Sequence, residues 1–250
     1  MEQICYKTNP IKDAIARLDF LSPILPLKLE IPGEIAATVK ETYPIPETRD
    51  IIANEFIVNG PGKLEQIKDK SVEWIFFNKE RTRKVTLTQT LFTLLHNDYE
   101  SYRKFSADFF KILDSLYSQY PDLQISRFGV RFVNRIEFDK GDPFSWSQYL
   151  NKKLLSIFEI PGKKEEISRA FHNLEMNYGD FLLRFQYGMH NPDYPAVIKK
   201  RVFIIDIDAY TNGIMNKKDI VEYFPKLQNK IQEFFEFSIT NKYRNYLGHE

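Results

Sequence analysis

A single cysteine, Cys5, in 250 residues excludes an intramolecular disulfide and any cysteine-rich zinc site, and fits a reducing cytoplasmic compartment. Long apolar runs are missing too. No stretch approaches the roughly 18 uncharged apolar residues of a membrane span, and the opening MEQICYKTNPIKDAIARLDF lacks the basic start and apolar core of a secretion signal. The expectation is a soluble, cytoplasmic chain with no membrane partner. Charge of one sign is not in excess: 35 Lys and Arg against 34 Asp and Glu leave a formal +1, which provides no global field for nucleic acid. Glycine-rich phosphate loops, H-E-x-x-H and G-x-S-x-G are absent as well, so no cofactor is implied.

What the chain has in quantity is aromatic residues, 21 Phe and 14 Tyr, and most fall at strand or helix spacing. That places them in a core sooner than on a stacking platform. Residues 14–21 read as a strand, 32–41 as a helix with Pro32 at its start and Ile35 and Val39 on one face, and 52–58, 72–78 and 84–95 as three strands. A helix over 99–120 follows, with Asp98 as N-cap and Phe105, Phe109, Ile112, Leu113 and Leu116 on one stripe. The second half repeats the order: strand 125–138, helix 145–158, strands 167–178, 181–190 and 201–210, and a closing helix striped by Ile220, Phe224, Leu227, Ile231, Phe234 and Phe235, with Pro225 expected to kink or divide it. The predicted class is α+β, a duplicated β-α-β-β-β-α unit with antiparallel sheets and long helices on one face. Its halves are residues 1–122 and 123–250, packed as one body because residues 121–124 are too few for a flexible linker.

The strand RFGVRFVNRIEF alternates with period two. Phe128, Val130, Phe132, Ile136 and Phe138 take one face, while Arg127, Arg131 and Arg135 take the other. Asn134 interrupts the apolar face and, if buried, must hydrogen-bond a neighbour. In RVFIIDIDAY the same alternation sends Asp206 and Asp208 to one side. Two carboxylates so spaced are weak candidates for a divalent cation. They are also suitable partners for the arginine row if the two strands share a sheet. The row therefore has two readings, internal ion pairing or a surface for a ligand or partner.

Arg184 and His190 share a strand face and join the binding candidates, as do Lys79, Arg81 and Arg83 on the NKERTR turn, where exposed cations would touch phosphates without sequence preference. Lys199, Lys200 and Arg201 form a further basic run. The remaining histidines, His96, His172 and His249, are too dispersed to suggest a nucleophile and base, and no catalytic residue is assigned.

NPIKDAI near the N-terminus, RFVNRI after a long helix, IIDID, and a final F-x-x-x-I-T-x-x-x-R together resemble the sporadically distributed family of conserved hypothetical proteins of bacteria and archaea, over nearly the whole chain. The resemblance implies a protein of similar length without an established activity. Its patchy distribution implies mobile genes, such as defence or toxin–antitoxin operons. The expected function is a non-enzymatic binding or regulatory subunit recognising another protein. The alternatives are a nucleic-acid-binding accessory subunit using the arginine face and the basic turn, and a metal-dependent enzyme using Asp206 and Asp208.

Overall fold

The computed structural model describes residues 4–58, 64–160 and 162–248. Its strands are β1 (Ile11–Phe20), β2 (Ile45–Val58), β3 (Leu64–Phe77), β4 (Arg83–Leu87), β5 (Leu91–His96), β6 (Ile125–Phe138), β7 (Ala170–Asn177), β8 (Leu182–Met189) and β9 (Arg201–Met215). Four α-helices accompany them among the described residues: α1 (Gly33–Thr42), α2 (Tyr102–Gln119), α3 (Lys217–Ser238) and α4 (Asn241–Leu247). The fold is α+β. All nine strands form one antiparallel sheet in the order β2-β3-β4-β5-β1-β6-β9-β8-β7.

The alternation seen in the sequence decides the two faces of that sheet. Ala14, Ala16 and Leu18 of β1, Phe92 and Leu94 of β5, Phe128 and Val130 of β6, and Ile205, Ile207 and Ala209 of β9 are all fully buried. Phe128 is the meeting point of this core. The ring of Phe109 from α2 lies 5.7 Å from it and that of Phe224 from α3 lies 5.8 Å away, while Phe109 also stacks on Phe92 at 5.6 Å and meets Phe224 at 4.9 Å. Aromatic pairs at such distances add to the energy of burial itself. Because β1 pairs along its length with β6, the sheet runs without a break across residues 122 and 123.

Several elements depart from the expectation. β2 and β3 begin at Ile45 and Leu64, well ahead of residues 52 and 72, and β9 runs past residue 210 to Met215. The strand expected at 84–95 is two strands, because Thr88 turns the chain: its hydroxyl accepts from the Thr90 and Leu91 amides, and its own amide donates to the Leu91 carbonyl. The helix expected at 145–158 is a series of turns and short 3-10 segments. Asn151 captures the Lys153 amide with its side chain, a local bond that competes with a helical ladder. The element order is therefore not a literal β-α-β-β-β-α in either half. Pro225, lastly, does not divide α3, which is continuous over 22 residues. Pro225 and Val221, four residues earlier, are both exposed, so water can satisfy the carbonyl that proline leaves unpaired.

The N-cap of α2 also differs. Ser101 caps the helix through the Lys104 amide, while Asp98 is held by Thr82 and Arg83. No helix among the described residues is long and apolar enough to cross a membrane.

Candidate functional site

The polar face of the central strands is where the sequence candidates converge. β6 and β9 pair so that Arg131 lies opposite Asp208 and Val133 opposite Asp206, and β8 sets Arg184 opposite Asp208 from the other side. Registers of this kind put oppositely charged side chains on one face at touching distance. Arg131 makes a two-pronged contact with Asp206, Nε to Oδ1 at 2.8 Å and Nη2 to Oδ2 at 2.5 Å. Asp208 is shared: Nη2 of Arg184 donates to its Oδ2 at 3.0 Å, and Nη2 of Arg127 approaches the same oxygen at 3.5 Å.

Both aspartates are buried, whereas the side chains of Arg127, Arg131 and Arg184 remain 26%, 38% and 36% exposed. The acids thus sit on the floor and the guanidinium groups form the open surface. Burial pushes the Asp208 carboxyl above its ordinary range, and the charges of Arg127, Arg184 and Arg131 pull it back only in part. The Nε of Arg184 is buried and has no acceptor among the described residues.

Gly129 and Tyr210, and on β1 Arg17 and Asp19, complete this constellation without having been candidates on sequence grounds. Gly129 is tightly flanked: a Cβ there would lie 3.1 Å from Nη1 of Arg127 and 3.2 Å from the Cβ of Tyr210, so one or the other would have to give way. Its bareness lets the Arg127 guanidinium cross the strand and rest 4.6 Å above the Tyr210 ring. On β1, Arg17 and Asp19 pair at 2.7 Å and extend the charged face beyond β6. The R-x-D alternation of Arg17 and Asp19 was the available signal. These side chains surround a hollow of about 470 Å³ lined by Arg17, Asp19, Arg127, Arg131, Arg184 and Asp208, among others.

The other candidates fare differently. Arg135 is paired, but with Glu137 of its own strand at 2.9 Å, not with an aspartate of β9. Arg83, expected as an exposed turn cation, is buried and clamped between Asp98 and Glu100. Its strand position turns the side chain inward, where only paired charge is tolerated. Arg81 bonds to Glu47 and lies 4.8 Å above the Phe77 ring. Lys79 alone of that trio is exposed with no ion pair among the described residues. Arg201 packs against Phe138, Trp146 and Tyr149 at 4.8, 5.3 and 5.5 Å, so the basic run that leads into β9 ends in a structural contact.

In the D-x-D pair Arg131 engages both oxygens of Asp206, and Arg184 and Arg127 share Oδ2 of Asp208. Among the described residues no group of three or more His, Cys, Asp or Glu side chains is placed to hold an ion. His190 is exposed and lines a second hollow of about 300 Å³ beside Arg135 and Lys200. His172 stacks on Tyr187 at 4.9 Å, and His249 lies outside the described residues.

His96, too isolated in sequence to suggest a role, is fully enclosed. Its Nε2 lies 3.0 Å from the Tyr43 hydroxyl and 3.4 Å from Oδ2 of Asp108, and Tyr43 donates to that same oxygen at 3.1 Å. These groups come from β5, the end of α1 and α2, and no local pattern links them. No protein-family model matches the chain, and no curated protein matches it.

Proposed function

We propose that the chain is a non-enzymatic binding subunit that recognises another protein through the charged face of its central strands. The observation that carries this reading is the layered constellation of buried Asp206 and Asp208 beneath partly exposed Arg127, Arg131 and Arg184. Guanidinium groups fixed in this way lose little conformational entropy on contact, and arginine is the charged residue most used at the centre of protein interfaces. Fixed charges of both signs favour one partner and repel others.

The nucleic-acid alternative draws less support, since two of its three hairpin cations, Arg81 and Arg83, are already engaged by acids. The metal-enzyme alternative is opposed by arginine contacts on both carboxylates.

The internal duplication belongs to the same reading. In each half the strand preceding the long helix, β5 or β9, adjoins the first strand, β1 or β6, and the strand before it lies next outward. That correspondence, and the seating of Phe109 and Phe224 on Phe128, favour two related halves whose long helices cover a common face and leave the other for a partner. The resemblance to a patchily distributed family suggests that the partner is encoded nearby, in a defence or toxin–antitoxin setting.

The test is affinity capture of the product of the adjacent gene by the wild-type chain and by an Arg17→Glu, Arg184→Glu double variant, with exposed Lys218→Glu on α3 as control. Capture lost only in the double variant, with its far-ultraviolet dichroism intact, is the expected result. Equal capture by all three would reject the face.

A further inference from the structure

We infer that the segment of the partner seated on this face is an extended acidic peptide that also carries an apolar side chain. The inference rests on the binding reading above and adds the chemistry of the occupant.

Two hollows follow one another along the same side of β6. The first is the charged one, and the second, about 300 Å³, has Val133, Phe171, Ile198 and Ile204 among its lining residues together with Arg135 and Lys200. Arg131 bounds one hollow and Val133, two residues on and therefore on the same face, bounds the other. Among the residues lining the pair, six are Arg or Lys (Arg17, Arg127, Arg131, Arg135, Arg184 and Lys200) and two are Asp (Asp19 and Asp208). Counting also Asp206 and Glu137, which pair with Arg131 and Arg135, the surface stays positive although the whole chain is almost neutral. Six cations to four acids around the two hollows is a local balance complementary to an acidic partner.

The pattern within the groove narrows the occupant. The Arg184 side chain borders the first hollow and is 36% exposed, so a carboxylate entering it meets a guanidinium donor as well as a field. A continuous polyphosphate would run from there onto apolar Phe171 and Ile198, whereas a peptide can alternate. Phe171 is 40% exposed, which leaves it available to cover an apolar side chain. At about 3.3 Å per residue, an extended segment of about eight residues spans the distance from Arg127 to Arg135.

The experiment is fluorescence anisotropy with a labelled eight-residue peptide in which pairs of glutamates alternate with leucine. Three comparison probes accompany it: glutamine in place of glutamate, alanine in place of leucine, and an eight-nucleotide thymidine strand. The expected result is at least about tenfold tighter binding of the parent peptide than of any comparison probe, weakened by salt. Arg184→Ala and Lys200→Ala should each weaken it several-fold, with the melting temperature of Lys200→Ala unchanged. Equal binding of the glutamine peptide, tighter binding of the nucleotide strand, or no binding of the acidic peptide would overturn the inference. Failure of the peptide with face-dependent capture of the neighbouring gene product would reject the acidic chemistry alone. Peptide binding combined with capture indifferent to Arg17→Glu and Arg184→Glu would support the site and reject its role in that partnership.

Discussion

The guanidinium of Arg131 grips the carboxylate of Asp206 with two hydrogen bonds, at 2.8 and 2.5 Å, across 75 residues of sequence. The contact is a consequence of register. β6 and β9 run antiparallel with Arg131 opposite Asp208 and Val133 opposite Asp206, so the arginine reaches one step along its neighbour. Because Asp206 is buried and Arg131 is not, the pair is asymmetric: the arginine satisfies the acid more than the acid restrains the arginine.

Arg131→Ala should therefore cost more than an exposed ion pair would. We expect a loss of about 1–3 kcal/mol in urea unfolding, since a buried acceptor loses its charged donors. Arg131→Lys should restore only part of it, a single ammonium being unable to reproduce the planar fork. A loss within experimental error would mean that water replaces the arginine without penalty.

Phe132 and Asn134 are both buried on the opposite face, as their alternation with Val130 and Ile136 requires. Phe132 touches Tyr99 at 5.1 Å and Phe105 at 6.0 Å, and Phe132→Ala should cost about 3–5 kcal/mol by opening a cavity there. Asn134 donates from Nδ2 to the Ile205 carbonyl at 3.1 Å, and Asn134→Ala should cost about 1–3 kcal/mol. Both values are read from denaturant midpoints at constant slope, and an unchanged midpoint would contradict the packing described.

The absence of a side chain at Gly129 leaves space for the Arg127 guanidinium. Gly129→Val would put atoms where the Arg127 guanidinium crosses to Tyr210, and we expect destabilisation of about 1–3 kcal/mol from overpacking. In an Arg127→Ala background the same substitution should cost less, because part of the obstacle is gone. A double-mutant cycle with no coupling would show that Gly129 serves some other purpose.

Asp108 makes a pH-dependent contribution. Burial alone would raise its carboxyl, but the hydrogen bonds and charge of His96, the hydrogen bond from Tyr43 and the nearby charge of Arg83 outweigh burial and hold it below the ordinary carboxylate range. A carboxyl depressed by folding contributes stability that is present above its unfolded value, about 4. That stability is lost as the pH falls through the lower folded value. Melting temperature measured from pH 7 down to pH 2 should show this decline in the wild type. Asp108→Asn should have a lower melting temperature at neutral pH and a flatter acid limb. Parallel profiles for the two proteins would remove Asp108 from the account.

Periodicity is enough to find both long helices, the strands β1, β6 and β9 at the centre of the sheet, the buried stripe of α2 and the separation of Arg127, Arg131 and Arg135 from Phe128 and Phe132. These are properties of consecutive residues, because period two and period 3.6 are written into backbone geometry. Apolar spacing does not reveal the Thr88 turn and predicts one helix over 145–158, where short side-chain bonds to the backbone outweigh it. Which charges meet was beyond it. Arg131 with Asp206, Arg184 with Asp208, and Arg83 withdrawn from its turn to Asp98 and Glu100 all depend on strand order and register. His96 meeting Tyr43 and Asp108 depends on helix packing in addition. Local sequence sets which side of an element each residue faces, whereas long-range pairing chooses its neighbours, and a charge becomes a surface or a structural partner only when that choice is made.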